Sequence, residues 1–257
     1  MASTLLVRDA LWRVSVLLQD ITPQFQRFPE RELVHWFNDG QAAVTKFLPA
    51  ACSRLDAIKL VAGTKQSIQS IPAANCLPGD GTTPTAPIYG TQLLNLIRNM
   101  GSDGLTAGRA ITCVEREILD TNDDLRHTRT GTYVKSFCYD ENNPRYFYVT
   151  PGVTGTMWVD ASFTAQPIAI PNTAAAGSEA YLNSGSSTTT ISIADEYLDD
   201  LVNYTVARAS LKDSKYADPA KAKLHTELFI ASLNAKVAAI KGASPNIKHL
   251  PIATPGP

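Results

Sequence analysis

The chain has 257 residues, 44% of them hydrophobic and 18% charged, with a formal net charge of -1. That length suits one large domain or two small ones, and a near-zero charge excludes whole-molecule attraction to nucleic acid while allowing a local basic patch. The four cysteines, at 52, 76, 113 and 138, lack CxxC spacing, which points to reduced thiols and away from a disulfide framework or a zinc site. Arg8, Asp9 and Arg13 interrupt the start of the chain, so no signal peptide is expected. No run approaches the roughly 18 apolar residues of a membrane span, and no membrane partner is expected.

A first helix is predicted over Thr4–Gln19, with Val7, Leu11, Val14 and Leu18 as its stripe and Trp12 and Val16 beside it. Pro29 opens a second, with Glu30 and Glu32 in its first turn. Leu33, Trp36, Phe37, Gly40, Val44 and Phe47 form its apolar face, and Pro49 ends it. Gly40 in mid-helix costs about 1 kcal/mol relative to Ala, which suggests close approach of another backbone, that of the first helix. His35 has no acid or Cys at a useful spacing and reads as an ordinary helix histidine.

The period then changes from about 3.6 to 2. LDAIKLVAG, from Leu55, is a short strand, and Leu93–Met100 is another. The Pro-, Gly- and Thr-rich stretch Ile71–Gly90 between them reads as an exposed loop. Gly108–Leu119 reads as a short helix, with a strand as the alternative. Asp120, Asp123, Asp124 and His127 invite a metal reading, but the EF-hand spacing is not met and a solvated turn is expected. Tyr133–Tyr139, Arg145–Thr150 and Thr156–Ala165 read as an antiparallel meander with DENNP and TPGVTG as its turns. In the last of these, Met157, Val159, Ala161 and Phe163 share a face. Tyr146-Phe147-Tyr148 reads as sheet core and interface more readily than as a sugar or base platform. Pro171–Thr190 is a long polar surface loop.

Ile191–Ile240 reads as a helical hairpin. Ile193, Tyr197, Leu201, Tyr204 and Arg208 repeat on one face of its first helix. Asp218-Pro219 starts the second, Leu224, Leu228, Ala231, Ala235 and Ala238 lie on one line, and Gly242 stops it. The fold class expected is α+β: a bundle of N- and C-terminal helices (1–54 with 191–242), a β-rich antiparallel insertion (55–190) and an extended tail (243–257). Prolines at 245, 251, 255 and 257 bar helix and central strand from the tail, while Ile247, Leu250 and Ile252 supply apolar anchors beside Lys248 and His249.

GxSxG, HExxH, the Walker loop and GxGxxG are absent, and no catalytic residue, metal or cofactor is expected; the protein reads as a non-enzyme.

Several stretches together carry a resemblance: ELVHWFNDGQAAVTKFLPAA, LVAGTKQSIQSIP, LLNLIRNM, NPRYFYVTPG and ISIADEYLDDLVNYTVARASLKDSKYADPAKAKLHTELF. In order and spacing, from about Glu32 to Phe229, they resemble the head-to-tail adaptor (head completion, or connector) proteins of podovirus-type tailed bacteriophages. The long loop before Tyr89 departs from the tighter connection expected of that family. The resemblance implies a helical bundle with a β insertion, in a ring of on the order of twelve copies of the chain beneath the portal. Its partners are then the portal protein, a tail tube or nozzle protein, further copies of itself and packaged DNA in the exit channel, and its place is the virion neck. On this reading Ile247, Lys248, His249, Leu250 and Ile252 bind the portal or a neighbouring subunit. From Leu211 onward seven lysines face three acids, a local net of +4. Lys212, Lys215, Lys221 and Lys223 are candidate DNA contacts, with a solvated helix face as the alternative. The rival readings are a tail or receptor-binding protein with a glycan-binding β domain and a cell-envelope hydrolase.

Overall fold

Val7, Leu11, Val14 and Leu18 recur at helical spacing, and the helix they predict runs Val7–Leu18 (α1) with all four side chains buried. The computed structural model describes residues 5–21, 27–79, 84–117, 129–139, 142–172, 181–182, 187–212, 215 and 217–243. The residues at 120–127 read for metal, most of the 173–186 stretch and the tail from 244 lie outside the described residues. The chain is α+β. Its described residues fall into two compact units, one between Pro49 and Pro167, the other made of those up to Leu48 and from Ile168 onward.

The second unit is helical. Besides α1 it holds α2 (Glu30–Phe47), α3 (Leu198–Ser210, entered through a 3-10 turn at Asp195–Tyr197) and α4 (Pro219–Ala243). Both α2 and α4 pack on α3, and α1 lies against α3 as well. Leu201 of α3 is fully buried, with Ile193, Tyr197 and Val206. Gly40 of α2 faces this helix and not α1: a Cβ there would lie 3.1 Å from Cδ1 of Tyr204 and 3.4 Å from Cδ2 of Leu201. The close approach expected at Gly40 is therefore made by side chains of α3, not by the backbone of α1.

Polar side chains of α2, two of them on its buried face, hold the returning chain. Asn38 Oδ1 accepts from Ile170 N at 2.9 Å, and its Nδ2 donates to Ile170 O at 3.1 Å. Gln41 Oε1 accepts from the backbone and the hydroxyl of Ser192 at 3.1 and 2.7 Å. The buried carboxylate of Glu30 accepts from Tyr181 N at 3.0 Å and Leu182 N at 2.7 Å. These bonds satisfy backbone groups of Ile170, Tyr181, Leu182 and Ser192, none of which lies in a helix or strand, and which would be costly to bury unpaired.

The first unit carries the strands β1 (Ser53–Lys59), β2 (Gly63–Ser67), β3 (Cys76–Pro78), β4 (Gly90–Asn99), β5 (Thr112–Cys113), β6 (Ser136–Tyr139), β7 (Tyr146–Val153) and β8 (Trp158–Ala165). They form two four-stranded sheets, β3-β1-β8-β4 and β2-β7-β6-β5. One core joins them, with Leu93, Leu96, Val159, Ala161 and Phe163 from the first sheet and Phe137, Phe147 and Val149 from the second. The four inward residues expected on β8, Met157 to Phe163, are all buried.

Four local expectations are corrected. The strands 133–165 are not a meander: β6 and β7 pair antiparallel, but β8 crosses to the other sheet and pairs with β1 and β4. The TPGVTG turn is in part strand, since β7 runs on through Pro151 to Val153. The 71–90 stretch is not wholly an exposed loop, because Cys76–Pro78 pairs with β1 and an Ile71–Ile88 bridge closes it. Over 108–119 the helix gives way in part to the alternative: Thr112–Cys113 is strand, parallel to β6, and among the described residues Arg116 and Glu117 are helical. A parallel pair needs a long connection, and the stretch from Val114 to Lys135 supplies it. Asn99 ties this corner: its Nδ2 donates to Arg109 O and Val134 O at 3.0 and 2.8 Å, and its Oδ1 accepts from Val134 N at 2.8 Å.

Candidate interaction surface

Asp218 caps α4 by accepting the Lys221 N–H at 3.0 Å, and Pro219 takes the first helical position, where a missing N–H costs nothing. The helix has 25 residues against 13 in α3, roughly 37 Å against 20 Å. It packs on α3 through Ala222, His225, Phe229, Leu233 and Lys236. The Phe229 ring meets Tyr204 edge-on at 5.3 Å, and His225 Nδ1 lies 2.8 Å from Asn203 Oδ1. No residue from 234 to 240 is buried.

The line expected to be inward on α4 is therefore its outer one. Leu224 is 54% exposed and Leu228 46% exposed, and Ala231, Ala235 and Ala238 follow them into solvent. The reason is that α4 carries apolar residues on more than one side, while its inner line includes polar groups that find partners. A histidine and a lysine interrupt that inner line, so apolar periodicity alone selects the wrong face. Helix α1 has a second open stripe at the same three- and four-residue spacing, Asp9, Trp12, Arg13, Val16 and Leu17.

Burial, reinforced by the nearby Lys221 ammonium, pushes the His225 imidazole below its ordinary value of 6.5. The fold thus favours the neutral ring, and the unfolded chain takes up the proton first on acidification. Stability present above 6.5 is lost as pH falls through that value towards the folded one. Urea unfolding between about pH 7 and pH 5 should show a steeper loss for the native chain than for His225→Gln, and equal slopes would refute the assignment.

Lys212, Lys221 and Lys223, candidate DNA contacts, meet the following groups within the helical unit. Lys212 Nζ lies 2.6 Å from Glu32 Oε2. Lys221 Nζ donates to Leu17 O at 2.6 Å, satisfying a carbonyl in the last turn of α1. Lys223 stands 3.9 Å from Glu227, one turn on, with both side chains exposed. Lys215 lies exposed in the turn between α3 and α4. A cavity of about 140 Å³ opens at this end, lined by Leu18, Arg27, Phe28, Ser210, Asp218 and Lys221. Ile247, Lys248, His249, Leu250 and Ile252 lie outside the described residues.

The β unit offers less. Tyr146 and Tyr148 have cations over their rings, Lys65 at 5.0 Å and Arg116 at 5.4 Å, while Phe147 is buried. The Cys76 thiol, driven by burial and the neighbouring Asp56 carboxylate, is pushed up to about 12 and donates to Asp56 Oδ2 at 3.5 Å. Such a thiol is a poor nucleophile at neutral pH. All four cysteines are free of disulfides. Among the described residues no three His, Cys, Asp or Glu side chains gather as metal ligands, and no helix is long and apolar enough to cross a membrane.

Exposed apolar side chains lie on helix faces, at Trp12, Val16, Leu17, Leu224 and Leu228, and also outside the helices, at Leu55, Val61, Leu94 and Leu105. A model of the SU10 adaptor protein family matches residues 7–248, and the chain belongs to that family. It is thus a phage adaptor, a virion component that interacts with other virion proteins. No curated protein matches the chain at a significant level.

Proposed function

We propose that the chain is the head-to-tail adaptor subunit of a podovirus-type virion. Copies assemble into a ring of on the order of twelve that joins the portal to the tail tube or nozzle and lines the DNA exit channel. The observation that carries this reading, beyond the family itself, is the outer line of α4, an apolar face with no cover among the described residues. Exposed apolar stripes of this length mark surfaces that meet protein. The helical part, 1–54 with 191–242, makes the ring, and 55–190 is an insertion into it. The tail expected over 243–257, of which Ala243 ends α4, runs from 244 as an extended peptide along the portal or an adjacent subunit, with Ile247, Leu250 and Ile252 as anchors and Lys248 and His249 beside acidic groups. Pre-extended, Pro-containing chain loses little entropy on docking. Of the lysines proposed to contact DNA, at 212, 215, 221 and 223, the ammonium groups of Lys212 and Lys221 also hold Glu32 and Leu17 O within the fold.

Binding of purified chain to purified portal tests the reading directly. A truncation that removes residues from Ser244 onward should keep the melting temperature and lose about tenfold in portal affinity, or 1.4 kcal/mol. Full-affinity docking by the truncated chain rejects the role of the tail, and no docking by the intact chain rejects the adaptor function.

A further inference from the structure

The two open stripes of the helical unit match each other. On α1 the order is Asp9, Trp12, Arg13, Val16 and Leu17; on α4 it is Lys223, Leu224, Glu227, Leu228 and Ala231. Each stripe carries one acid and one base four residues apart, in opposite order. Laid parallel, the stripes put Asp9 beside Lys223 and Arg13 beside Glu227. Laid antiparallel, they put like charges together, which is unfavourable. In the parallel register Trp12, Val16 and Leu17 fall over Leu224, Leu228 and Ala231, and the small Ala231 leaves room for a large neighbour.

We propose that α1 of one copy docks on α4 of another in this parallel register, so that the occupant of the α4 stripe is a second copy of this chain. The inference rests on the adaptor reading only for its biological setting, since the complementarity lies in the chain itself. The competing contacts within one copy are weak. Arg13 lies 3.8 Å from Asp199, Asp9 lies 3.2 Å from the Arg8 guanidinium, and Lys223 lies 3.9 Å from Glu227. Exposed pairs of this kind contribute little and exchange readily for partners in a desolvated contact. The apolar side chains drive the association, and the charges select the register.

The test is the mass of the full chain in solution over a concentration series, by light scattering or sedimentation. The native chain should self-associate. Arg13→Glu should raise the dissociation constant by about tenfold, because it sets two acids together. Adding Glu227→Lys to that variant should restore association. Asp199→Ala, which removes the partner of Arg13 within the same copy, should leave association unchanged. All three positions are exposed, and the melting temperatures of the variants should match the native chain. An Arg13→Glu chain that associates normally, a double variant that is not rescued, or a native chain that stays monomeric throughout overturns the proposal. A monomeric chain that still binds portal overturns this inference alone. A chain that associates through these stripes but ignores portal overturns the adaptor reading alone.

Discussion

Replacing Lys236 by methionine is expected to destabilise the helical unit by about 3 kcal/mol, the lower end of what breaking a buried ion pair costs. The Lys236 ammonium bonds the Asp200 carboxylate, donates to Glu196 O at 2.6 Å and sits 4.6 Å from the centre of the Tyr197 ring. Asp200 is fully buried, and its Oδ1 has no hydrogen-bond partner among the described residues. Removing the ammonium leaves that carboxylate in a low-dielectric site with no countercharge. The lower end of the range applies because the lysine stem is partly exposed and water can reach the gap. The double variant Asp200→Leu with Lys236→Met should recover most of the loss, since neither charge is then stranded. Urea unfolding at neutral pH, with the slope checked for constancy, measures both. A loss below about 0.5 kcal/mol for Lys236→Met would mean that Asp200 is solvated without its partner.

Leu201→Ala should cost about 2–5 kcal/mol, the range for deleting a fully buried leucine side chain. Leu201 is 0% exposed, packed between α3 and the Gly40 surface of α2. Leu224→Ala is the control. Leu224 is a residue of the same type on the outer line of α4, and its truncation should change stability by no more than about 0.5 kcal/mol. Equal losses at the two positions in urea unfolding would place the buried faces elsewhere.

The contrast between Leu201 and Leu224 marks where sequence reading succeeds and where it fails. Both sit in lines of apolar residues at helical spacing. For α1 the expected line is the inner one, and Val7, Leu11, Val14 and Leu18 all lie there; for α3 the line holds at Ile193, Tyr197 and Leu201 but ends on the exposed Arg208. For α4 apolar residues occur on several sides, and local pattern cannot say which side meets α3. The inner line there is settled by His225 on Asn203 and Lys236 on Asp200, partners 22 and 36 residues away in sequence. The candidate site was legible to the same degree. Lysines 212–223 were visible as a basic cluster, but the engagement of Lys212 by Glu32 and of Lys221 by Leu17 O depends on helices from the other end of the chain.

The amino-acid sequence by itself determined the α+β class, the inner face of α1 though not its start, which is Val7 and not Thr4, the span of α2, the start of α4 at Asp218-Pro219 and the inward face of β8. Each of these follows from local rules: side-chain period, capping and proline geometry act within a few residues. Tertiary structure alone decided that β8 leaves β7 for the opposite sheet, that Cys76–Pro78 becomes an edge strand on β1, that β5 lies parallel to β6, and which side of α4 faces solvent. Strand partners and helix faces are chosen by burial of apolar area and pairing of backbone groups between distant segments. Those energies exist only once the chain has brought the segments together, and no local window of residues contains them.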